Sequence, residues 1–278
     1  MIVDAHVHLH PGRLAVKVRA FLDGLRGHDD THRLPMAYGI DADEVLAAMA
    51  ADGVERVWSF SYAHKPGIAV GLNEASAELA ATTRNGPLPV MGGGTVHPGD
   101  DEPGRIVQDA VDRLGLGVLK LHCSVGGFDV DDPRLGPVFA VAAERRLPVV
   151  IHLGHALNGR TEVGELAGLH RVATAHPDAA LILAHCGHEA AGEALAVIDA
   201  HPCVHADLTP VASSPVDLAA ADIAARPDRF LFGSDAPNTP FRVGQSLARV
   251  RALRLPQDVE AAVLGGNAER LAGAVLRR

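Results

Sequence analysis

Sixteen histidines stand beside one tryptophan and two tyrosines in this chain, and their spacing is the first feature that could do chemistry. His6 and His8 lie two apart in IVDAHVHL (2–9). His152 falls in PVVIHL (148–153), His185 closes ALILAH (180–185), and Asp235 closes RFLFGSD (229–235). A His-x-His pair alone says little, because two histidines at strand spacing arise often by chance. Several imidazoles and a carboxylate brought from separate segments into one small space say more. Burying that many unpaired polar groups is costly, and a divalent cation offsets the cost. A cation held by nitrogen and oxygen donors activates water near neutral pH and polarises a carbonyl.

The elements that must position these residues follow from the pattern. Short apolar runs at 2–9, 54–61, 88–96, 117–122, 148–153, 180–185, 203–208 and 229–235 read as eight strands. Helical spacing is read over 43–52, 103–114, 135–146, 160–176, 189–199, 215–225, 245–254 and 257–276. Eight alternating units predict one α/β domain over 1–278, a single (β/α)8 TIM barrel. The alternative is an open doubly wound sheet, weakened because no glycine fingerprint follows the first strand. The connection over about 10–40 reads as a long loop after strand one, placed to cover a site.

In a barrel the active site gathers at the C-terminal strand ends. His6, His8, His122, His152, His185, His205 and Asp235 lie on or end such strands, and His97 follows strand three. Residues two apart share a face of a strand. Lys120 and His122 should therefore face the barrel axis, as should His205 and Asp207, while Asp4 should sit below His6 and His8. By the same alternation Trp58 and Phe60 should face the helices.

Composition narrows the partners. The formal net charge is −9 with no basic run, which argues against nucleic acid. The three cysteines form no CxxC pair, which fits a reducing compartment, and no stretch is apolar enough to span a bilayer. A cytoplasmic enzyme acting on a small molecule is the expectation.

The segments IVDAHVHLH (2–10), GGGTVHPGD (92–100), GVLKLHC (117–123), PVVIHLG (148–154), LILAHCG (181–187), FLFGSDAP (230–237) and GGNAERLAG (265–273), in this order, resemble the metal-dependent amidohydrolase superfamily. The resemblance is to its amidohydrolase 2 group, which includes aminocarboxymuconate-semialdehyde decarboxylase and related hydrolases. It implies one divalent metal ion, usually Zn2+, held by His6, His8, His152 and Asp235, with His185 near the reacting water or the substrate. Mn2+, Fe2+ and Co2+ also suit the donor set. Homodimers occur among such relatives, although no apolar helix stripe here demands one. Lys120 is either a structural or substrate-contacting amine or, as in binuclear branches, a carbamylated bridge. The strand-six turn His-Cys-Gly-His-Glu (185–189) departs from the group's glycine-rich form.

The chemistry expected is hydrolysis of a small amide, lactone or ester, with Asp235 as general base and His185 polarising the carbonyl. Asp207 and Asp4 are candidates to orient the ligand imidazoles. His97, His122, His155, His188 and His205 are candidate contacts to substrate or to the ligands. His28, His32, His64, His170, His176 and His201 read as solvated or loop residues. Decarboxylation of an unsaturated or aromatic carboxylate is the alternative. It would need cationic anchors such as Arg33, Lys65, Arg160 or Arg242, and aromatic rings among Trp58, Phe60, Tyr62, Phe128 and Phe241. An inactive scaffold is a third alternative, disfavoured because no ligand position is lost.

Overall fold

The computed structural model describes residues 1–25, 35–86, 88–154, 162–187, 190–211 and 218–275. Its strands are β1 (Val3–Val7), β2 (Arg56–Phe60), β3 (Val90–Thr95), β4 (Val118–His122), β5 (Val149–His152), β6 (Leu181–Leu183), β7 (Val204–Asp207) and β8 (Phe230–Leu231). They pair in parallel, each with the next in sequence. Backbone bonds from Ala5 N to Phe232 O (2.9 Å), Asp235 N to His6 O (2.8 Å) and His8 N to Ala236 O (2.7 Å) bring the β8 segment against β1 and complete the (β/α)8 barrel.

The main helices are α1 (Gly12–Leu25), α2 (Ala42–Ala51), α3 (Ala69–Thr83), α4 (Pro103–Asp112), α5 (Cys123–Gly126), α6 (Gly136–Arg145), α7 (Glu162–Ala175), α8 (Ala191–Ala200), α9 (Ala220–Ala224), α10 (Val243–Ala252), α11 (Gln257–Ala261) and α12 (Asn267–Val275). Among the described residues no helix is long and apolar enough to cross a membrane.

Strand alternation sorts the apolar residues into two clusters. Val57, Leu119, Leu121, Val149, Ile151, Leu181 and Leu183 pack outward with the helices. Val3, Ala5, Trp58, Phe60, Val118, Val150, Ile182 and Leu231 form the barrel interior, joined by Ala268, Leu271 and Ala272 of α12. Asn267 donates to the carbonyls of Pro227 and Phe230, both at 2.9 Å, and so fixes α12 near the start of β8. The C-terminal helix thereby plugs the end of the barrel remote from the strand termini.

Trp58 and Phe60 thus face the axis, not the helices as alternation alone suggested. The reason lies on the neighbouring strand. Phe60 pairs with Gly93 of β3, and a Cβ at Gly93 would lie 2.7 Å from Phe60 Cβ and 2.9 Å from Val118 Cγ1. The missing side chain is the room that the Phe60 ring occupies.

The first strand also departs from simple parity. Its register against β2 shifts between Asp4 and Val7, where the three steps of β1 oppose the two from Val57 to Ser59. This extra residue is a bulge. It lets Val3 and Ala5 point inward below it, and His6 and His8 inward above it. Asp4 consequently does not sit beneath the histidine rings. Its Oδ1 accepts the backbone N–H groups of His6 (3.2 Å) and Ser234 (3.0 Å), holding the bulge against the β8 segment.

Three helices lie where the spacing predicts none, the four-residue α5 directly after β4 being the shortest. The connection after β1 contains α1. The segment between β2 and β3 contains α3, whose buried face is Ala69, Asn73, Ser76 and Thr83 rather than large apolar residues. Small residues suit this face because β3 presents glycine there. A Cβ at Gly92 would lie 2.9 Å from Ser76 O. Asn73 replaces apolar packing with a two-point grip on Thr95, donating to its carbonyl (3.1 Å) and accepting its N–H (2.8 Å).

Gly93→Ala should lower unfolding stability by about 1–3 kcal/mol, the usual cost of overpacking a tight core. Urea denaturation measures it; an unchanged midpoint would contradict the packing of Phe60 against β3.

Candidate metal centre

His6 and His8 arrive side by side at the mouth because the bulge turns both inward. What each ring does next is decided by its Nδ1. His6 Nδ1 lies 2.9 Å from Asp207 Oδ2, and His8 Nδ1 lies 2.9 Å from the carbonyl oxygen of Phe60. Both partners accept and neither donates. Each Nδ1 therefore carries the proton, and in a neutral ring each Nε2 is a bare lone pair.

The two lone pairs converge. His6 Nε2 and His8 Nε2 are 3.2 Å apart, and Asp235 Oδ1 is 3.2 Å from His8 Nε2 and 3.7 Å from His6 Nε2. One ligand atom from each of the three lies within 4.8 Å of the others. Burial is the first cause that lowers the pKa of His6, and it pulls His8 down to about 3, so the rings are neutral. Burial likewise raises Asp235, against the downward pull of His6 and His185. Three acceptor atoms facing one another repel unless a proton donor or a cation meets them, and Lys120 meets His6 alone. This donor set fits a divalent metal ion.

Lys120 closes the inner side. Its Nζ stands 3.3 Å from His6 Nε2 and 5.1 Å from the Phe60 ring centre. Burial lowers its pKa to about 8, with Asp207 and Asp235 acting in the opposite direction. Asp207 does more than hold His6. Its Oδ1 accepts the N–H groups of His185 (3.0 Å) and Thr209 (3.1 Å). Burial pushes its carboxyl up, but His6 by charge and hydrogen bond, and then His185 and Thr209, bring it below the usual range.

His185 and Asp235 share an uncommon backbone. Their φ angles are +56° and +62°, in the left-handed region that non-glycine residues seldom adopt. The Asp207 carboxylate holds the first from its backbone N–H, and the His6 carbonyl holds the second. His185 Nδ1 is buried with no hydrogen-bond partner, and burial brings that imidazole to about 3. Its ring lies 5.0 Å from His6 and 4.8 Å from His152.

His152 lies beside this trio rather than within it. It is paired in register with His122, and the two rings stack at 4.0 Å and 20°. Both are held well below the ordinary histidine range, first by burial and then by neighbouring charges. Tyr62 completes the mouth, 4.8 Å from the His122 ring and 5.4 Å from the His8 ring. Desolvation raises its phenol, which stays protonated. Sequence reading had Tyr62 only as one aromatic among several. The available signal was its place two residues beyond Phe60, on the same face.

Other expected site residues lie elsewhere. His205 is buried one layer down, opposite Ile182, and not at the mouth. Burial and then Arg270 and Arg229 lower its pKa to about 4. His97 is a strut: its Nδ1 accepts from Gly99 N (2.9 Å), so its Nε2 donates to Gly126 O (3.1 Å) and joins the loops after β3 and β4. Arg242 is exposed, its guanidinium 5.5 Å from the Tyr38 ring centre, and Lys65 is exposed after β2. Arg33, His155, Arg160 and His188, with His28 and His32, lie outside the described residues.

A family model described as amidohydrolase matches residues 3–273. No curated protein matches the chain. Among solved structures, an uncharacterised TIM-barrel protein from Bordetella bronchiseptica aligns at 20% identity and TM-score 0.78, covering 99% of both chains. A 5-carboxyvanillate decarboxylase from Novosphingobium aromaticivorans, with bound manganese, aligns at 16% identity and TM-score 0.70, covering 98% of this chain and 95% of that one. A 4-oxalomesaconate hydratase from Rhodopseudomonas palustris aligns at 15% identity and TM-score 0.63, covering 99% and 96%. At these identities the likeness is one of fold.

Asp207→Asn keeps the shape but removes the charge behind His6. It should weaken divalent-cation affinity about 10–100-fold, as losing an outer partner of a ligating histidine typically does. Competition against a chromogenic chelator reads this directly, and unchanged affinity would show that Asp207 does not tune the donor.

Proposed function

The chain belongs to the amidohydrolase family, and from that premise we propose that it is a metal-dependent hydrolase of a small-molecule amide, lactone or ester bond. The observation that carries this reading is the position of Asp235. Its Oδ1 lies against both histidine lone pairs, yet its side chain keeps 23% of its surface open, against 0% for His6 and 5% for His8. It is the member of the trio that substrate and water can reach.

His6, His8 and Asp235 would hold the cation, with His152 proposed as the fourth donor from its place at the end of β5. When bound, the ion supplies a Lewis acid and makes adjacent water more acidic. Zn2+ suits this nitrogen-rich set best, and Mn2+, Fe2+ or Co2+ are also accommodated. Asp235 takes the proton from the attacking water and returns it to the leaving group. His185 sits where a neutral imidazole can donate to the developing oxyanion. Lys120 and Phe60 close the floor beneath the donors and exclude water from that side.

A second reading has support from one observation. Tyr62, half-buried at the mouth, packs against His8 and His122, so one aromatic ring is available for stacking a planar substrate. That favours decarboxylation of an aromatic or unsaturated carboxylate, the reaction named for the manganese-bound neighbour. Product analysis separates the two. Hydrolysis incorporates one oxygen from labelled water into the product, whereas decarboxylation releases CO2 and leaves no such label.

Elemental analysis of His8→Ala should show loss of the mouth cation. Asp235→Asn should lower turnover by about 10²–10⁴-fold, the range for removing a general base. Full activity in either variant would overturn the metal-dependent reading.

A further inference from the structure

The connection after β1 leaves a gap beside α3. Where it departs from β1 at Leu9 and His10, and where it reaches α2 at Ile40 and Asp41, it faces α3 across an open cavity of about 490 Å3. That volume is of the size that small-molecule sites have. α3 meets the cavity with Ala75, Glu78, Leu79 and Thr82, which stand at i, i+3, i+4 and i+7 and so share one side of the helix. The side packed on the barrel is a different one, carrying Ala69, Asn73, Ser76 and Thr83. The cavity therefore has a helix face that the core does not use.

Its polar side chains all present acceptors. Asp41 and Glu78 line it, and no lysine or arginine is among the described residues that do. Asp41 Oδ1 accepts Glu44 N (3.0 Å) as the cap of α2, which leaves Oδ2. Thr82 Oγ1 donates its proton to Leu79 O (3.0 Å). Arg13 and Lys17 of α1 are exposed and stand outside the lining. His10 is the most telling group. It lines the cavity, is only 8% exposed, and its Nε2 has no hydrogen-bond partner. Its Nδ1 lies 3.0 Å from Ser61 Oγ, just beyond β2, so the free nitrogen is on the ring edge turned away from Ser61. Ser61 Oγ can accept the Nδ1 proton, which leaves Nε2 as a lone pair. The same ring stacks on His8 at 5.7 Å and meets Tyr62 edge-on at 5.6 Å, so His10 is a wall shared with the mouth.

Acceptors lie here beside an apolar wall of Leu9, Ala15, Ala42 and Leu79. They call for a ligand that brings both N–H donors and an alkyl chain. A bare metal ion would leave the wall unused, and a carboxylate or phosphate would meet like charge. We propose that the cavity is a binding site for a small alkylammonium ion. Asp41 and Glu78 supply the countercharge, His10 Nε2 is a further acceptor, and the apolar wall takes the chain. The site is separate from the metal centre and goes beyond the hydrolase reading, because neither the cation nor Asp235 enters it.

The test is isothermal calorimetry of the full-length protein with ethyl-, butyl- and hexylammonium chloride, and with hexanol and hexanoate as the neutral and anionic counterparts. Hexylammonium should bind saturably and tightest, each added CH2 gaining about 2–4-fold. The double variant Asp41→Asn with Glu78→Gln keeps the α2 cap and should weaken binding about 3–10-fold, the scale of two exposed ion pairs. Ala75→Phe fills the cavity from α3 and should abolish binding, whereas Asp235→Asn should leave it unchanged. No saturable uptake of hexylammonium would overturn the proposal. So would hexanol or hexanoate binding as tightly, or binding unchanged in the double variant or in Ala75→Phe. Binding lost in Asp235→Asn would place the amine at the mouth and overturn the proposal as well. Thermal unfolding confirms that the variants remain folded. If Ala75→Phe does not fold, the double variant, which alters exposed side chains alone, and the hexanoate comparison still decide.

Discussion

Everything at the mouth depends on two hydrogen bonds made behind the histidines rather than in front of them. Asp207 takes the Nδ1 proton of His6, and the Phe60 carbonyl takes that of His8. Once those protons are committed, the opposite nitrogens are lone pairs with a single place to point, and that place also holds Asp235 Oδ1. A pair of histidines without such backing would donate to one another and need no ion. Here acceptors behind the rings create a deficit of protons in front of them, and a cation meets that deficit.

The barrel supplies this backing through local irregularity. A one-residue bulge in β1 aims both rings inward, and Asp4 pins the bulge by accepting two backbone N–H groups. Left-handed backbone at His185 and Asp235 turns those side chains off the ends of their strands, and backbone bonds to Asp207 and His6 hold each turn. Such conformations cost about 1–3 kcal/mol each and persist where the surroundings over-determine them. Asp207 is the common element: one oxygen orients a ring, the other orients the His185 turn.

The barrel was legible because it rests on period and alternation. Eight apolar runs, three of them closing on His122, His185 or Asp235, left little choice of topology, and Lys120 with His122 faced inward as their spacing required. What period cannot express was lost. An acceptor that is a main-chain carbonyl, such as that of Phe60, has no side-chain signature. The bulge reverses parity for Asp4 without any residue type announcing it. Trp58 and Phe60 look like helix-facing residues until the neighbouring Gly93 is known to leave the interior vacant. The helix α3 hides because close approach to the β3 glycines calls for Ala, Asn and Ser on its buried face. His205 shares a face with Asp207, but alternation gives direction and not depth, and two residues along a barrel strand separate the mouth from the plug.

Depth also decides how a substrate must approach. Below the trio lie Lys120 and the Phe60 ring, and below them the apolar interior closed by α12. That side is dry, so the donors cannot be relieved by water from beneath. On the open side stand Asp235, Tyr62 and the stacked pair of His122 and His152. A reacting group can meet the donors from that face alone, with Asp235 already between it and the histidines. Under the proposed function, the residue that would complete the cation site is therefore also the first base that incoming water would encounter. The same asymmetry is compatible with the proposed water addition and with carboxylate loss, so in either proposal the choice would fall to the groups on the wall formed by Tyr62 and His122 rather than to the donors themselves.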